Sequence, residues 1–151
     1  MSVHDDAAQL ESLLPLAMTA LFRPDEEDPL RHHSVGQVRL LRSLLKGPRT
    51  ATDLSNSLGL SPSSLTQMAG RMIRAGLIKK ELDAQDRRVR KLSLTPAGRE
   101  LMERRRDRRA RSAALVLEKM DPAKFRELIA LLEEIRSIGD AQNPAPAEAM
   151  V

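Results

Sequence analysis

The sequence contains no cysteine, and its aromatic side chains are Phe22 and Phe125 alone. Without cysteine there is no disulfide framework, no thiolate metal site and no thiol nucleophile. The same absence fits a reducing compartment, and the expected localisation is cytoplasmic. Two phenylalanines are too few to supply the stacking platforms on which single-stranded nucleic acid is held. No apolar run reaches the roughly eighteen residues of a spanning helix, so no membrane partner is expected. No cationic segment followed by an apolar stretch opens the chain, and no secretory leader is expected. A glycine-rich phosphate loop is also missing. The histidines are His4, His32 and His33. His32 and His33 lie near Asp28, but adjacent residues point apart in an extended chain and no third ligand is evident, so no metal is expected. No motif places a histidine to activate a serine. The expectation is a protein without catalytic residues and without a cofactor.

The charge is nearly balanced. Lysine and arginine number 25 against 21 aspartate and glutamate, a formal net charge of +4. That excess is too mild to imply a nucleic-acid partner, but its distribution is uneven. Asp25, Glu26, Glu27 and Asp28 stand in a row, whereas residues 79–111 hold most of the basic charge. A local field acts locally, so the basic region is a candidate face for an anion. A length of 151 residues suggests one domain, or one domain with helical extensions.

Residues 1–6 are expected to fray. A helical pattern then covers residues 7–22, with Leu10, Leu13, Leu14, Ala17, Met18 and Leu21 on one face. Pro15 either kinks this helix or marks its true start. After an acidic, proline-containing break, a second helix is predicted over 34–46. Val38, Leu41, Leu44 and Leu45 lie on its inner face with Leu40 beside them, and Gly47-Pro48 ends it. Arg49 begins a strand too short to assign. Residues 50–58 predict a short helix with Ala51, Leu54 and Leu58 inward, ended by Gly59. Ser61 caps the next helix, and Pro62 occupies its first turn, where a missing N–H costs nothing. That helix runs to about residue 75, with Leu65, Met68, Ala69, Met72 and Ile73 inward, and Gly76 stops it. Strands are predicted at 77–82 and 90–95, joined by a charged loop over 83–89.

Helix, glycine turn, helix and basic hairpin together describe a helix-turn-helix followed by a wing, a constellation whose natural partner is duplex DNA. The outer face of the second helix presents Ser63, Ser64, Thr66, Gln67, Arg71 and Arg74. Small polar residues at its leading end admit close approach to base edges, and the arginines behind can reach phosphate or a guanine edge. The hairpin adds Arg87 and Arg88, with Arg90 and Lys91 on the returning strand, of which one could enter a minor groove while the others meet phosphate. Asp86 either orients one of these arginines through a charge-assisted pair or simply forms the turn with Asp83. The plain alternative is that serine, glutamine and arginine here are ordinary solvent residues.

Pro96 opens a long helix capped by Thr95 and predicted to reach residue 120. Its basic first half reads as a solvated face adding positive potential near DNA, since it lacks the bulky apolar face of a membrane-surface helix. A last helix is predicted over 122–137, with Phe125, Leu128, Ile129, Leu132 and Ile135 on one side. Residues 139–151, rich in Ala, Pro and Glu, are expected to be disordered. The terminal helices, 7–22 and 97–138, have no evident core of their own. Their leftover apolar stripes are most simply buried against a second copy, and two-fold symmetry suits a palindromic site. The expected fold is mainly α with a small β wing: a winged helix-turn-helix at 34–95 plus N- and C-terminal dimerisation helices.

At these residues the chain resembles the MarR family of winged helix-turn-helix transcription regulators. The strongest likeness is Asp86-Arg87-Arg88, then Leu94-Thr95 and Gly98, similar to the family's wing signature. Leu58-Gly59-Leu60-Ser61-Pro62-Ser63-Ser64-Leu65-Thr66 resembles the turn and start of its recognition helix, and Arg74-Ala75-Gly76-Leu77-Ile78 resembles its exit. The resemblance covers residues 7–137 in helical order. It implies a homodimer acting on palindromic double-stranded operators, usually as a repressor, and often released by a small phenolic or aromatic effector bound between dimer layer and DNA-binding lobe. By position it assigns Ser63, Ser64, Thr66 and Gln67 to bases and Arg88 to the wing tip. Gln67 departs from the arginine common there, which shifts preference from guanine towards adenine or leaves the position unused. Oxidant sensing through cysteine is closed to this chain. With Phe22 the one aromatic near the expected cleft, an effector is small and aliphatic or absent. A protein-interaction module without specific DNA binding is the competing reading.

Overall fold

The computed structural model describes residues 2–142. Among them the chain forms six helices and a three-stranded antiparallel sheet: α1 Val3–Leu21, α2 Val35–Ser43, β1 Arg49–Thr50, α3 Ala51–Leu58, α4 Pro62–Arg74, β2 Ile78–Leu82, β3 Arg90–Leu94, α5 Pro96–Leu117 and α6 Pro122–Gln142. The chain divides into two units, one of residues up to 31 with 105–138, the other centred on residues 32–104.

The central unit is built from short, well-capped pieces. Ser34 and Gln37 form a reciprocal capping box at the start of α2, with distances of 3.2 and 2.9 Å. Thr50 caps α3 through the Asp53 amide. Gly59 closes α3 with φ +65°, a left-handed conformation that a side chain would oppose, and the Leu60 amide reaches back to the Ser55 carbonyl. The core gathers Leu40, Leu41 and Leu44 after Val38, then Leu54 of α3, Leu65, Ala69 and Met72 of α4, and Ile78, Leu92 and Leu94 of the sheet. Burial therefore fixes which face of α4 looks outward. The sheet order is β1-β3-β2, with Ile78 opposite Leu94 and Leu82 opposite Arg90. The two residues of β1, unassignable from sequence, are a strand because Arg49 and Thr50 pair with Leu92 and Lys91.

One joint anchors α5 to the α4–β2 corner. Thr95 donates its hydroxyl to the Gly76 carbonyl at 2.6 Å and accepts from the Gly98 amide at 3.0 Å. The Thr95 amide donates to the Leu77 carbonyl at 3.0 Å. A Cβ on Gly98 would sit 2.1 Å from that same carbonyl oxygen. Glycine is required there by close approach of backbone to backbone.

In the other unit α1 and α6 bury none of their residues. Leu10, Leu13, Leu14 and Met18 on α1, and Ile129, Leu132, Ile135 and Ile138 on α6, are exposed. The acidic segment after α1 is fastened to α5. Arg108 grips Asp25 with two hydrogen bonds of 2.7 and 2.9 Å and Glu27 with one of 2.8 Å, and Arg105 meets Asp28 at 3.0 Å. Arg109 lies over the Phe22 ring, 4.2 Å from its centre, and Ser112 donates to the Leu21 carbonyl. Arg108 lowers the Asp25 carboxyl below its usual range, with help from the Glu27 amide. The paired Asp25 and Glu27 in turn hold the Arg108 guanidinium more firmly in its charged form.

Several expectations are corrected. The N-terminus does not fray at residue 6: Ser2 and Asp5 form a capping box and α1 begins at Val3, continuing through Pro15. α2 ends at Ser43 and α5 at Leu117, each three residues early, because turns follow over 44–46 and 118–119. α6 continues past 137 to Gln142, so residues 139–142 are helical rather than part of a tail, and 143–151 lie outside the described residues. Ala51 is exposed, and Ser55 is buried beside Leu54 instead. The basic half of α5 is not a plain solvated face, since Arg105, Arg108 and Arg109 are engaged by the acidic segment and Phe22.

Candidate nucleic-acid interface

The leading end of α4 carries a cluster of hydroxyls. The Ser61 side chain accepts the Ser64 amide at 3.2 Å, and its oxygen lies 2.8 Å from Ser64 Oγ and 3.1 Å from Ser63 Oγ. Capping by a serine thus leaves Ser63 and Ser64 exposed on a helix end with no bulk around it. Thr66 spends its hydroxyl proton on the Pro62 carbonyl at 2.8 Å, which leaves its methyl and an oxygen lone pair outward. Gln67 is exposed and its side chain makes no hydrogen bond among the described residues, so its amide offers a donor and an acceptor together. A base edge with adjacent acceptor and donor, as adenine has in the major groove, matches such an amide.

Further along the same face Arg71 and Arg74 are exposed. The Arg74 guanidinium folds back along its helix, with Nη1 3.6 Å from where a side chain on Gly70 would begin. It thereby borders a groove of about 460 Å³ between α3, α4 and the sheet. The floor is apolar, from Leu65, Ala69, Ile73 and Leu92, and the rim is cationic, from Arg74, Lys80 and Arg90. Lys80 was not among the residues expected from sequence. Strand alternation could have found it, because Lys80 and Arg90 fall on the same face of β2 and β3.

The loop between β2 and β3 is folded on itself. The Asp83 amide donates to the Val89 carbonyl at 2.9 Å, and the Val89 amide donates to the Asp86 carbonyl at 2.9 Å. Asp83 Oδ1 accepts the Gln85 amide and Asp86 Oδ1 the Arg88 amide, both at 2.9 Å. Each aspartate therefore caps a turn with its side chain. Lys91, expected from sequence to be open to phosphate, is instead engaged within the hairpin by a hydrogen-bonded pair with Asp83 at 2.9 Å. This hydrogen bond, followed by that of the Gln85 amide, holds the Asp83 carboxyl below its usual range. The suggestion that Asp86 orients an arginine is corrected: its carboxylate is occupied by a backbone amide, and it forms no ion pair among the described residues. Arg87, Arg88 and Arg90 are exposed and meet no carboxylate among the described residues.

The central unit contains all nine residues expected from sequence: six on α4, Arg87 and Arg88 in the loop, and Arg90 at the start of β3. Chemically, the unit offers an exposed helix end carrying polar side chains and, on the same helix and in the hairpin, guanidinium groups that meet no carboxylate among the described residues. Among the described residues no group of three or more His, Asp or Glu is placed to hold a metal ion. No helix among them is long and apolar enough to cross a membrane.

Comparison with known proteins places this unit in context. A family model described as "MarR family" matches residues 34–89, the helix-turn-helix and most of the hairpin. The chain is 34% identical over 98 residues to the HTH-type transcriptional repressor MdtR of Bacillus subtilis, a match covering 61% of this chain and 63% of that protein. The matched region is therefore less than two thirds of that relative's own length. Over nearly the whole chain, the fold is similar to that of RV1404 from Mycobacterium tuberculosis, with a TM-score of 0.70 at 27% identity, covering 91% of this chain and 92% of that one. A protein from Bacillus stearothermophilus solved as a MarR family member gives a TM-score of 0.70 at 25% identity, covering 95% and 99%.

Proposed function

We propose that the chain is a member of the MarR family, which it resembles in the helix-turn-helix and over its fold, and that it is a homodimeric, non-enzymatic transcriptional regulator of the cytoplasm that binds palindromic double-stranded DNA and represses. The observation that carries this reading is the outward face of α4, where Ser63, Ser64, Thr66 and Gln67 stand exposed ahead of Arg71 and Arg74, beside a wing with unpaired Arg87, Arg88 and Arg90. In this reading α4 enters the major groove and the wing follows the backbone. Phosphate contacts from the arginines supply most of the affinity, and Gln67 with the hydroxyl cluster supplies selectivity. The repressor name borne by the similar Bacillus subtilis protein supports the sign of regulation. The exposed apolar faces of α1 and α6 support the homodimer, since contiguous leucine and isoleucine on two helices call for a covering partner. Release by a small effector completes the proposal, as the family resemblance implies.

The test is selection of bound duplexes from a random pool by the purified protein at about 0.15 M salt, where phosphate-driven and base-driven binding separate. A two-fold symmetric motif with half-site centres roughly 34 Å apart is the expected result. Failure to enrich any motif, together with duplex affinity that does not fall as salt rises, would overturn the reading in favour of a protein-interaction module.

A further inference from the structure

The wing loop is short, charged and exposed at its tip, so something must hold its shape. The strands end at Leu82 opposite Arg90, and the loop of residues 83–89 hangs beyond that last pair. At its base the Asp83 carboxylate does two things at once. One oxygen accepts the Gln85 amide at 2.9 Å, and the other meets the Lys91 ammonium at 2.9 Å. Both side chains of this pair are sheltered, at 19% and 25% exposure, unlike the arginines at the tip. Lys91 lies on the sheet face shared by Glu81 and Ser93. Glu81, opposite Lys91 in the register, accepts the Ser93 hydroxyl at 2.7 Å and lies 3.7 Å from Lys79. The loop itself also carries Asp86, Arg87 and Arg88, and Arg90 stands opposite Leu82 where the strands end. β1 adds only Thr50 opposite Lys91 and Arg49 opposite Leu92. Asp83 is therefore the carboxylate that both starts the loop's turn and ties it to the returning strand.

We infer that Asp83 is a positioning residue of the wing: bridged to Lys91, it holds the loop so that Arg87 and Arg88 remain unpaired and directed to the duplex. The inference rests on the DNA-binding reading above. It makes a counter-electrostatic demand. A carboxylate close to a phosphate-binding surface repels DNA, so removing its charge should tighten binding if charge alone mattered. If Asp83 organises the wing, removing it weakens binding instead.

The experiment measures duplex affinity at fixed salt for the full chain and for Asp83→Asn, Lys91→Met, Glu81→Gln and the double variant Asp83→Asn with Lys91→Met. Asparagine keeps the acceptor for the Gln85 amide and removes only the ion pair. Expected is a loss of about three- to fivefold for Asp83→Asn, the scale of one partly sheltered ion pair. Glu81→Gln should show no loss. Asp83→Asn should cost nothing further once Lys91 is methionine. Tighter or unchanged binding by Asp83→Asn overturns the inference. Hydrogen exchange of the Asp83 and Val89 amides, both bonded within the loop, gives a readout that needs no DNA. Faster exchange in Asp83→Asn supports the ordering role, and unchanged exchange overturns it. If the unmodified protein binds no duplex, the DNA-binding reading fails, while amide exchange still decides the ordering of the wing.

Discussion

Gln67 and Arg88 are both exposed, but they are suited to different work. Gln67 offers a donor and an acceptor with no side-chain partner among the described residues, whereas Arg88 offers a positive charge at the end of a hairpin. Gln67→Ala is expected to change which duplexes are selected and to leave the salt dependence intact. Arg88→Ala is expected to weaken all duplexes together and lower the slope of log affinity against log salt by about 1. Binding titrations of both variants over specific and scrambled duplexes check this, and equal losses on every sequence for Gln67→Ala would remove it as a reader. Asp25 is a residue of another kind. Its carboxyl is lowered by Arg108, so it contributes stability above the ordinary aspartate range of about pH 4, lost as pH falls through the lower folded value. Asp25→Asn should therefore flatten the acid side of a pH–melting profile and leave the neutral side lower but parallel. An acid limb identical to that of the unmodified protein would show that the Asp25–Arg108 grip is energetically idle.

Elements here are short, and their ends decide their directions. α3 and α4 are set by Thr50, Gly59 and Ser61, each recognisable as a cap by residue type. The start of α5 is set by contact. Thr95 and Gly98 bind the same corner, the Gly76 and Leu77 carbonyls at the exit of α4. Gly98→Ala would push a methyl against a backbone oxygen that cannot rotate away, with an expected loss of about 1–3 kcal/mol of stability. Thr95→Val, which keeps shape and loses the hydroxyl, should cost about 1 kcal/mol, and Thr95→Ser should restore most of it. Denaturant titrations of the three variants measure these, and a neutral Gly98→Ala would mean that the corner yields. Gly98 stood out in sequence as part of a family likeness, but the reason for it is the Leu77 carbonyl, and no local pattern could reveal that.

At the scale of the whole molecule the terminal helices are unfinished surfaces. α1 and α6 bury nothing within the chain, and Leu13, Leu132 and Ile135 are about half exposed. If a second copy covers them, melting temperature should rise with protein concentration, and Ile135→Glu should shift the species in sedimentation from dimer towards monomer. A monomer at micromolar concentration in the unmodified protein would contradict the homodimer. Duplex affinity should fall with the dimer, because one reading helix makes only half the contacts.

What the sequence alone determined is what local chemistry determines. Serine, proline and glycine at turns marked the end of α3 and both ends of α4, periodicity named the buried face of α4, and its complement named Ser63, Ser64, Thr66, Gln67, Arg71 and Arg74. These are properties of residues within one helical turn of each other, and they survive any packing. The tertiary structure decided whatever depends on residues far apart in the chain. It made Arg49-Thr50 a strand by pairing them with β3, engaged Arg105 and Arg108 with Asp28 and Asp25, and turned Asp86 into a turn former. It also set Lys80 beside Arg74 and Arg90. A charge on a strand or a helix can be read as basic from sequence, but whether it is spent or free depends on which carboxylate the fold carries to it.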